Sequence, residues 1–329
     1  MSTLYWRKAR VSLVLVIALL LAIQGSPIHR ATITSDGDSI QERPYEQAHK
    51  WEVISLAKRG FERLPDKLPR SSHIAGVSHL NRYSDIIPTP DTIVTLRRDT
   101  GSKIDNYINA NFVNGKDYIA TQGPLPATIS DFWRMVWEQD VSVIVMVTGI
   151  REGGRIKCER YWPEDVGTTF QVLTKDGSRI TMLSTDEHNK DRSDPYVRSE
   201  LLLEQAGHSR IVYHFWYNTW PDMDVPVDVH GQVEWQGAAN MLRTIHAEGR
   251  KGPWVVHCSA GIGRTGTFIG IDMGQRLLER DGKVDVLELI RTMRDARGGM
   301  VQTYSQAQFM QAALRGFADQ HNKCFHEVC

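Results

Sequence analysis

The stretch Val255-Val256-His257-Cys258-Ser259-Ala260-Gly261-Ile262-Gly263-Arg264-Thr265-Gly266 decides how the rest of the chain is read. A β-branched pair leads into a cysteine, a glycine-rich loop follows, and an arginine closes it at position 264. That order predicts a strand, a tight loop and the N-terminus of a helix. Successive amides and the helix dipole make such a loop an anion cradle. The same field favours thiolate over thiol and lowers a cysteine pKa from its ordinary value of about 8.5. The reading is a phosphate-sized site with a nucleophile, Cys258, at its floor.

Working outward, the predicted strands are Tyr118–Thr121, Val141–Thr148, Ile180–Leu183, Leu201–Leu203, Ile211–Trp216 and Trp254–His257. The predicted helices are Ala127–Glu138, Val233–Glu248, Arg264–Arg280, Val284–Met293 and Ser305–Asp319. A further helical spacing over Gln47–Arg63 offers Trp51, Ile54, Leu56 and Phe61 for burial. Strands interspersed with helices of these lengths imply an α/β domain, one large twisted mixed sheet flanked by helices. Gly266, Gly270 and Gly274 fall four apart on the helix after the loop, so that helix is expected to lie very close to a neighbour.

With 329 residues, 41% of them hydrophobic, the chain can bury a full core. Its formal net charge is zero, which removes any bulk electrostatic case for nucleic acid or for an anionic membrane surface. Four cysteines, Cys158, Cys258, Cys324 and Cys329, make no disulfide framework and suit a reducing compartment. The N-terminus points the other way. Arg7, Lys8 and Arg10 precede an apolar run, Val11 to Ile23, then small residues at Gly25-Ser26. This has the form of a secretory signal, or of a short membrane anchor. Yet no asparagine stands in an Asn-x-Ser/Thr site, which favours a domain outside the secretory lumen. Both compartments, membrane or secretory pathway and cytoplasm, stay open. The organisation read here is a basic flank with signal or anchor over 1–25, a polar linker over 26–44, a catalytic domain over 45–320 and a tail over 321–329.

The loop joins other segments that carry a family likeness: Trp220-Pro221-Asp222, Asn81-Arg82-Tyr83-Ser84-Asp85, Asp105-Asn106-Tyr107-Ile108-Asn109-Ala110 and Gln302-Thr303-Tyr304-Ser305-Gln306. Shorter matches are Thr121-Gln122-Gly123-Pro124, Asp131-Phe132-Trp133 and Lys157-Cys158 with Tyr161-Trp162-Pro163. Together, from about Tyr45 to Gln320, they resemble the catalytic domain of the cysteine-dependent, phosphotyrosine-specific protein-tyrosine phosphatases. The resemblance implies a phosphotyrosine-protein hydrolase working through a cysteinyl-phosphate, with no cofactor and no metal.

It also assigns roles. Cys258 is the nucleophile, and Arg264 presents a planar fork to two phosphoryl oxygens, a geometry lysine lacks. The amides of Ser259, Ala260, Gly261, Ile262 and Gly263 hold the remaining oxygens, and the Thr265 hydroxyl stabilises the thiolate. Asp222 is the general acid, with Trp220 as a packed hinge and Lys157 beside it; Glu152 supports Arg264. Gln302 orients water with Gln306 as helper. Tyr83 walls the pocket, and Asp85 accepts from the substrate backbone. Ser84 stands where many members are basic, which weakens any preference for acidic flanks. Met223-Asp224 departs from the histidine and glycine usual after the acid. That departure keeps open a weakly active phosphotyrosine-binding domain as an alternative. A dual-specificity phosphatase is the other alternative, sharing the cysteine loop but usually not the Asn81 and Gln302 segments. His321, Cys324, His326 and Cys329 have ligand-like spacing, but at a free end they read as a solvated tail.

Overall fold

The computed structural model describes residues 50–328, apart from 73, 98–102, 175–176, 178, 189–193, 229 and 249–251. The regions 1–25 and 26–44, with the apolar run Val11–Ile23, lie outside the described residues. In chain order the first half contains β1 (Glu52–Ile54), α1 (Lys58–Glu62), β2 (Ile93–Thr95), β3 (Tyr107–Val113), β4 (Tyr118–Thr121), α2 (Ile129–Glu138) and β5 (Val143–Met146). A short hairpin, β6 (Arg151–Glu152) and β7 (Arg155–Ile156), precedes the long strands β8 (Thr169–Leu173), β9 (Arg179–His188), β10 (Val197–Gln205) and β11 (His208–Trp216). Then come α3 (Gln236–Ala247), β12 (Trp254–His257), α4 (Gly263–Asp281), β13 (Lys283–Asp285), α5 (Val286–Ala296) and α6 (Tyr304–Val328).

One nine-stranded sheet runs β2-β3-β4-β12-β5-β11-β10-β9-β8. Its heart is parallel: β12 pairs with β4 and β5, and β5 with β11. The outer pairs are antiparallel. Both faces of the heart are covered, as parallel strands require. Phe132, Trp133 and Val136 of α2 pack on one face, while Phe268, Ile269, Leu289 and Phe309 from α4, α5 and α6 close the other. Every residue of β4, β5 and β12 is buried. The chain leaves the carboxyl end of β12 directly into the Cys258 loop, the place where open α/β sheets bind ligands.

The α/β expectation, with a mixed sheet and flanking helices, matches this architecture. The α4 glycines act as expected. A methyl group on Gly266 would stand 2.5 Å from the Val301 nitrogen, and one on Gly274 would press 2.7 Å from Leu314. The helix predicted over Gln47–Arg63 is not formed. Val53 and Ile54 instead lie in β1, paired parallel with β13, and only a single turn of helix, α1, follows. Cross-chain pairing with residues 283–285 decides this, and no local spacing records it. The last helix also passes the boundary drawn at Gln320 without a break. Trp51 stacks on His321 with rings 3.9 Å apart, and Asn322 exchanges two hydrogen bonds with the Trp51 backbone.

Among the described residues no helix is long and apolar enough to cross a membrane, and no three His, Cys, Asp or Glu side chains gather as a metal site. The side chains of His326 and Cys329 lie outside the described residues.

Gly266→Ala is expected to cost about 1–3 kcal/mol, because its new methyl meets backbone rather than a yielding side chain. A urea midpoint equal to that of the parent protein would show that α4 and the 300–301 segment can separate freely.

Candidate active site

The loop after β12 must turn its amides inward, and Gly261 makes that possible. It sits at φ +73°, and a side chain there would overlap the Thr121 carbonyl. The Gly261 amide donates to Cys258 Sγ at 3.3 Å. Cys258 is 3% exposed, at the floor of the cleft. Burial alone would push its thiol up. The Arg264 charge, the hydroxyl and amide of Thr265 and the Gly261 amide outweigh that, and the thiol is held below its ordinary value.

Arg264, 1% exposed, is gripped by Glu152 through two bonds, Nη1–Oε1 at 2.7 Å and Nη2–Oε2 at 3.1 Å. Nη1 also donates to the Trp220 carbonyl at 2.9 Å and Nη2 to Asp222 Oδ1 at 2.9 Å. The other oxygen of Asp222 bonds Lys157 Nζ. Burial pushes the Asp222 carboxyl up, but Lys157, Arg264 and the Met223 amide together hold it below its ordinary value. Trp220 is buried against Tyr217 and Phe309, so its carbonyl is a fixed point for the arginine.

The walls follow from the segments that carried the family likeness. Ser259 Oγ donates to the Lys157 carbonyl at 2.9 Å, so the Tyr83 hydroxyl, 2.9 Å away, must donate to Ser259. Arg82 fixes this wall from behind, donating to the carbonyls of Gly123, Pro124 and Ile156. Gln306 is buried, and its Oε1 accepts the amides of Gln302 and Thr303, which holds the Gln302 segment on the rim. The resulting cleft encloses about 390 Å³. It brings together Tyr83, Asp85, Lys157, Asp222, Cys258, Ser259, Ala260, Gly263, Arg264, Gln302 and Gln306. Gly261, Ile262, Thr265 and Trp220 lie behind this lining. Asp224, the extra acid, is not among the lining residues; its Oδ1 accepts the Val225 amide. Met223 lines the cleft at φ +58°, a left-handed backbone that a methionine rarely adopts.

Sequence reasoning missed two supports. Arg297, fully buried and with no carboxylate against it among the described residues, donates to Gly261 O (2.8 Å), Ala260 O (3.1 Å), Asn111 Oδ1 (2.8 Å) and Asn109 Oδ1 (2.8 Å). Burial brings its guanidinium down to about 10, so it remains charged at neutral pH. The available signal was Asn109 and Asn111, two amides on the same face of a buried strand and in need of a partner. The second support is a buried chain behind the nucleophile. His257 Nδ1 lies 3.1 Å from the Cys258 carbonyl, which only accepts, so Nδ1 carries the hydrogen. Burial pushes His257 down to about 4, so the ring is neutral and Nε2 accepts from Tyr161 Oη at 2.7 Å. Tyr161 must then accept from His214 Nε2 at 2.9 Å. His214 Nδ1 is left bare, and it has no partner among the described residues.

The family profile of protein-tyrosine phosphatase matches residues 77–315. Mouse tyrosine-protein phosphatase non-receptor type 7 is 38% identical over 275 residues, covering 79% of this chain and 70% of that protein. Human receptor-type tyrosine-protein phosphatase R is 40% identical over 240 residues, covering 71% of this chain and 34% of that protein. Mouse tyrosine-protein phosphatase non-receptor type 5 is 38% identical over 257 residues, covering 75% and 44%. The chain thus spans about a third to two thirds of the length of these relatives. It belongs to the protein-tyrosine phosphatase family and is a hydrolase of that class.

Alkylation with iodoacetamide should separate the thiols. Cys258 is expected to react at a pH below the ordinary range of a free thiol, while Cys158, which burial pushes up, stays protected until unfolding. In Arg264→Met the Cys258 profile should move to higher pH, read by mass spectrometry across pH. An unmoved profile would remove the arginine as the main source of thiolate stabilisation.

Proposed function

We propose that this chain hydrolyses phosphotyrosine in proteins in two steps, with Cys258, Arg264 and Asp222 as its reacting core. The observation that carries the reading is the Asp222–Arg264 ion pair lining one cleft with a buried, activated thiol. A phosphoryl dianion bound over Sγ competes with Asp222 for Arg264 Nη2 and adds negative charge beside the carboxyl. Both effects raise the carboxyl pKa, so substrate binding itself converts Asp222 to the acid form.

The thiolate attacks phosphorus, the P–O bond to the tyrosine ring breaks, and Asp222 gives its proton to the departing phenolate. Loop amides and Arg264 hold the equatorial oxygens as charge shifts. In the second step Gln302 and Gln306 orient a water, Asp222 accepts its proton, and the S–P bond breaks to release phosphate. Thr265 stabilises the returning thiolate. Selectivity for phosphotyrosine rests on depth: with Cys258 at the floor and Tyr83 pinned upright, a phosphoserine is too short to reach sulfur. Asp85, on the cleft lining, is placed to accept backbone N–H groups of the substrate.

A phosphotyrosyl peptide is expected to turn over at least about a hundredfold faster than its phosphoseryl counterpart. Equal rates, or activity surviving in Cys258→Ser, would overturn the assignment. Asp222→Asn should lower kcat about 10²- to 10⁴-fold with little change in substrate affinity. In the parent enzyme kcat falls as pH rises through the pKa of Asp222 in the complex, and the variant should lose that alkaline limb. Persistence of the limb would move the acid role elsewhere.

We also propose, from the basic flank and apolar run alone, that residues 1–25 act as a signal or membrane anchor. Protease protection of the domain in intact membranes tests this, together with the side on which Cys258 lies. Full recovery in the soluble fraction, with residues 1–25 still attached, would overturn it.

A further inference from the structure

Around the mouth of the cleft the lining changes character. Besides the charged groups already described, the lining includes Leu125, Ile156 and Met223. Ile156 is 42% exposed and Met223 is 50% exposed, so neither is spent on the core. Both are nonetheless held in place. The Arg82 guanidinium that backs the Tyr83 wall donates to the carbonyls of Pro124 and Ile156, tying the Leu125 segment and the β6–β7 hairpin to the same wall. Met223 is fixed by its neighbours: Asp222 is bound on both oxygens, and the Met223 amide faces that carboxylate.

Met223 carries the argument furthest. A left-handed backbone at a non-glycine residue costs of the order of 1 kcal/mol or more. A half-exposed side chain returns little of that to the fold. A methionine there does offer an adaptable, polarisable apolar surface beside the reacting phosphate. Ile156 adds a rigid β-branched surface. Lys157 and Asp222, their chain neighbours, bond one another, so the two apolar residues flank one contact. The charged alternatives on this rim are Asp85 and Arg155, and position 84, next to the wall, is a serine.

We infer that Ile156 and Met223, with Leu125, form an apolar subsite that takes an aliphatic side chain flanking the phosphotyrosine of a substrate protein. This rests on the proposed function of the same cleft and narrows its substrate class from any phosphotyrosine peptide to those with an apolar neighbour.

The test measures kcat/KM for one phosphotyrosyl peptide carrying leucine, serine or aspartate in turn at the positions next to the phosphotyrosine. Each value is divided by that for free phosphotyrosine, which has no flank. The parent protein is expected to favour a leucine peptide about tenfold over its serine counterpart, the scale of one apolar contact. In Ile156→Thr/Met223→Asn that advantage should fall to about one. Threonine keeps the strand and asparagine tolerates the left-handed backbone; an unchanged circular dichroism spectrum reports an intact fold, and division by the variant's own rate on free phosphotyrosine removes any general change in rate.

Equal ratios for leucine and serine in the parent would overturn the subsite. So would a preference for aspartate that Arg155→Gln abolishes, since the rim would then be read by charge. A parent protein without any rate on the phosphotyrosyl peptides or on free phosphotyrosine would instead overturn the proposed function, and the subsite with it.

Discussion

A loop that points its amides at a ligand points its carbonyls into the protein, and those carbonyls must find donors there. Most of this structure is organised around that requirement. Arg297 takes the carbonyls of Ala260 and Gly261. The Gly123 amide takes Ser259, the His257 ring takes Cys258, and the Val147 amide takes His257. The Ile262 carbonyl accepts from Gly266 and Val301, and that of Gly263 from the Thr267 hydroxyl. Arg297 in turn needs Asn109 and Asn111. Their amides need Asn81, the Ile86 and Thr89 carbonyls and the Thr92 hydroxyl. Segments scattered from residue 81 to residue 301 meet because one loop has been turned inside out.

Electrostatics follow from the same frame. A buried guanidinium is costly unless its donors are used, and four acceptors, none of them charged, use those of Arg297. Burial lowers its guanidinium, and the charges of Tyr107 and Cys258 offset part of that cost. Arg264 differs. Glu152 sets the plane of its fork through two bonds, and the other hydrogens of its two terminal nitrogens face the Trp220 carbonyl and Asp222. One arginine shapes the loop from behind; the other works on its open side.

What the sequence could disclose divides along the range of each interaction. Strand, loop and helix around Cys258 are local, and Tyr118–Thr121 and Trp254–His257 stand where spacing put them. The central helices were legible from their apolar faces. The strand Tyr107–Val113 was not, because its buried face carries asparagines whose partner lies near the end of the chain. Arg297 was invisible for the same reason: nothing beside it suggests burial, and its contacts reach back as far as Asn109. The strand Glu52–Ile54 read as helix because a short apolar run fits both periods until its pairing with residues 283–285 is known. Tyr161 and His214 sit on separate segments and meet His257 only in the folded sheet.

The nucleophile loop and the acid segment are held in opposite ways. The loop is fixed at nearly every carbonyl by side chains and amides of the core. Asp222 is 37% exposed and is tied chiefly by ion pairs to Lys157 and Arg264, with Trp220 as the packed anchor below it. Asp222 is the more exposed member of both pairs, so a bound anion can replace it on Arg264 where the loop carbonyls keep their donors. In the proposed reaction the partner Asp222 shares with the substrate is Arg264. Phosphate that takes Nη2 from Asp222 leaves Lys157 and the Trp220 carbonyl to hold the segment, and it raises the carboxyl at the moment a proton is needed. In that reaction the loop selects the anion, and the more exposed acid responds to it. One guanidinium couples the two.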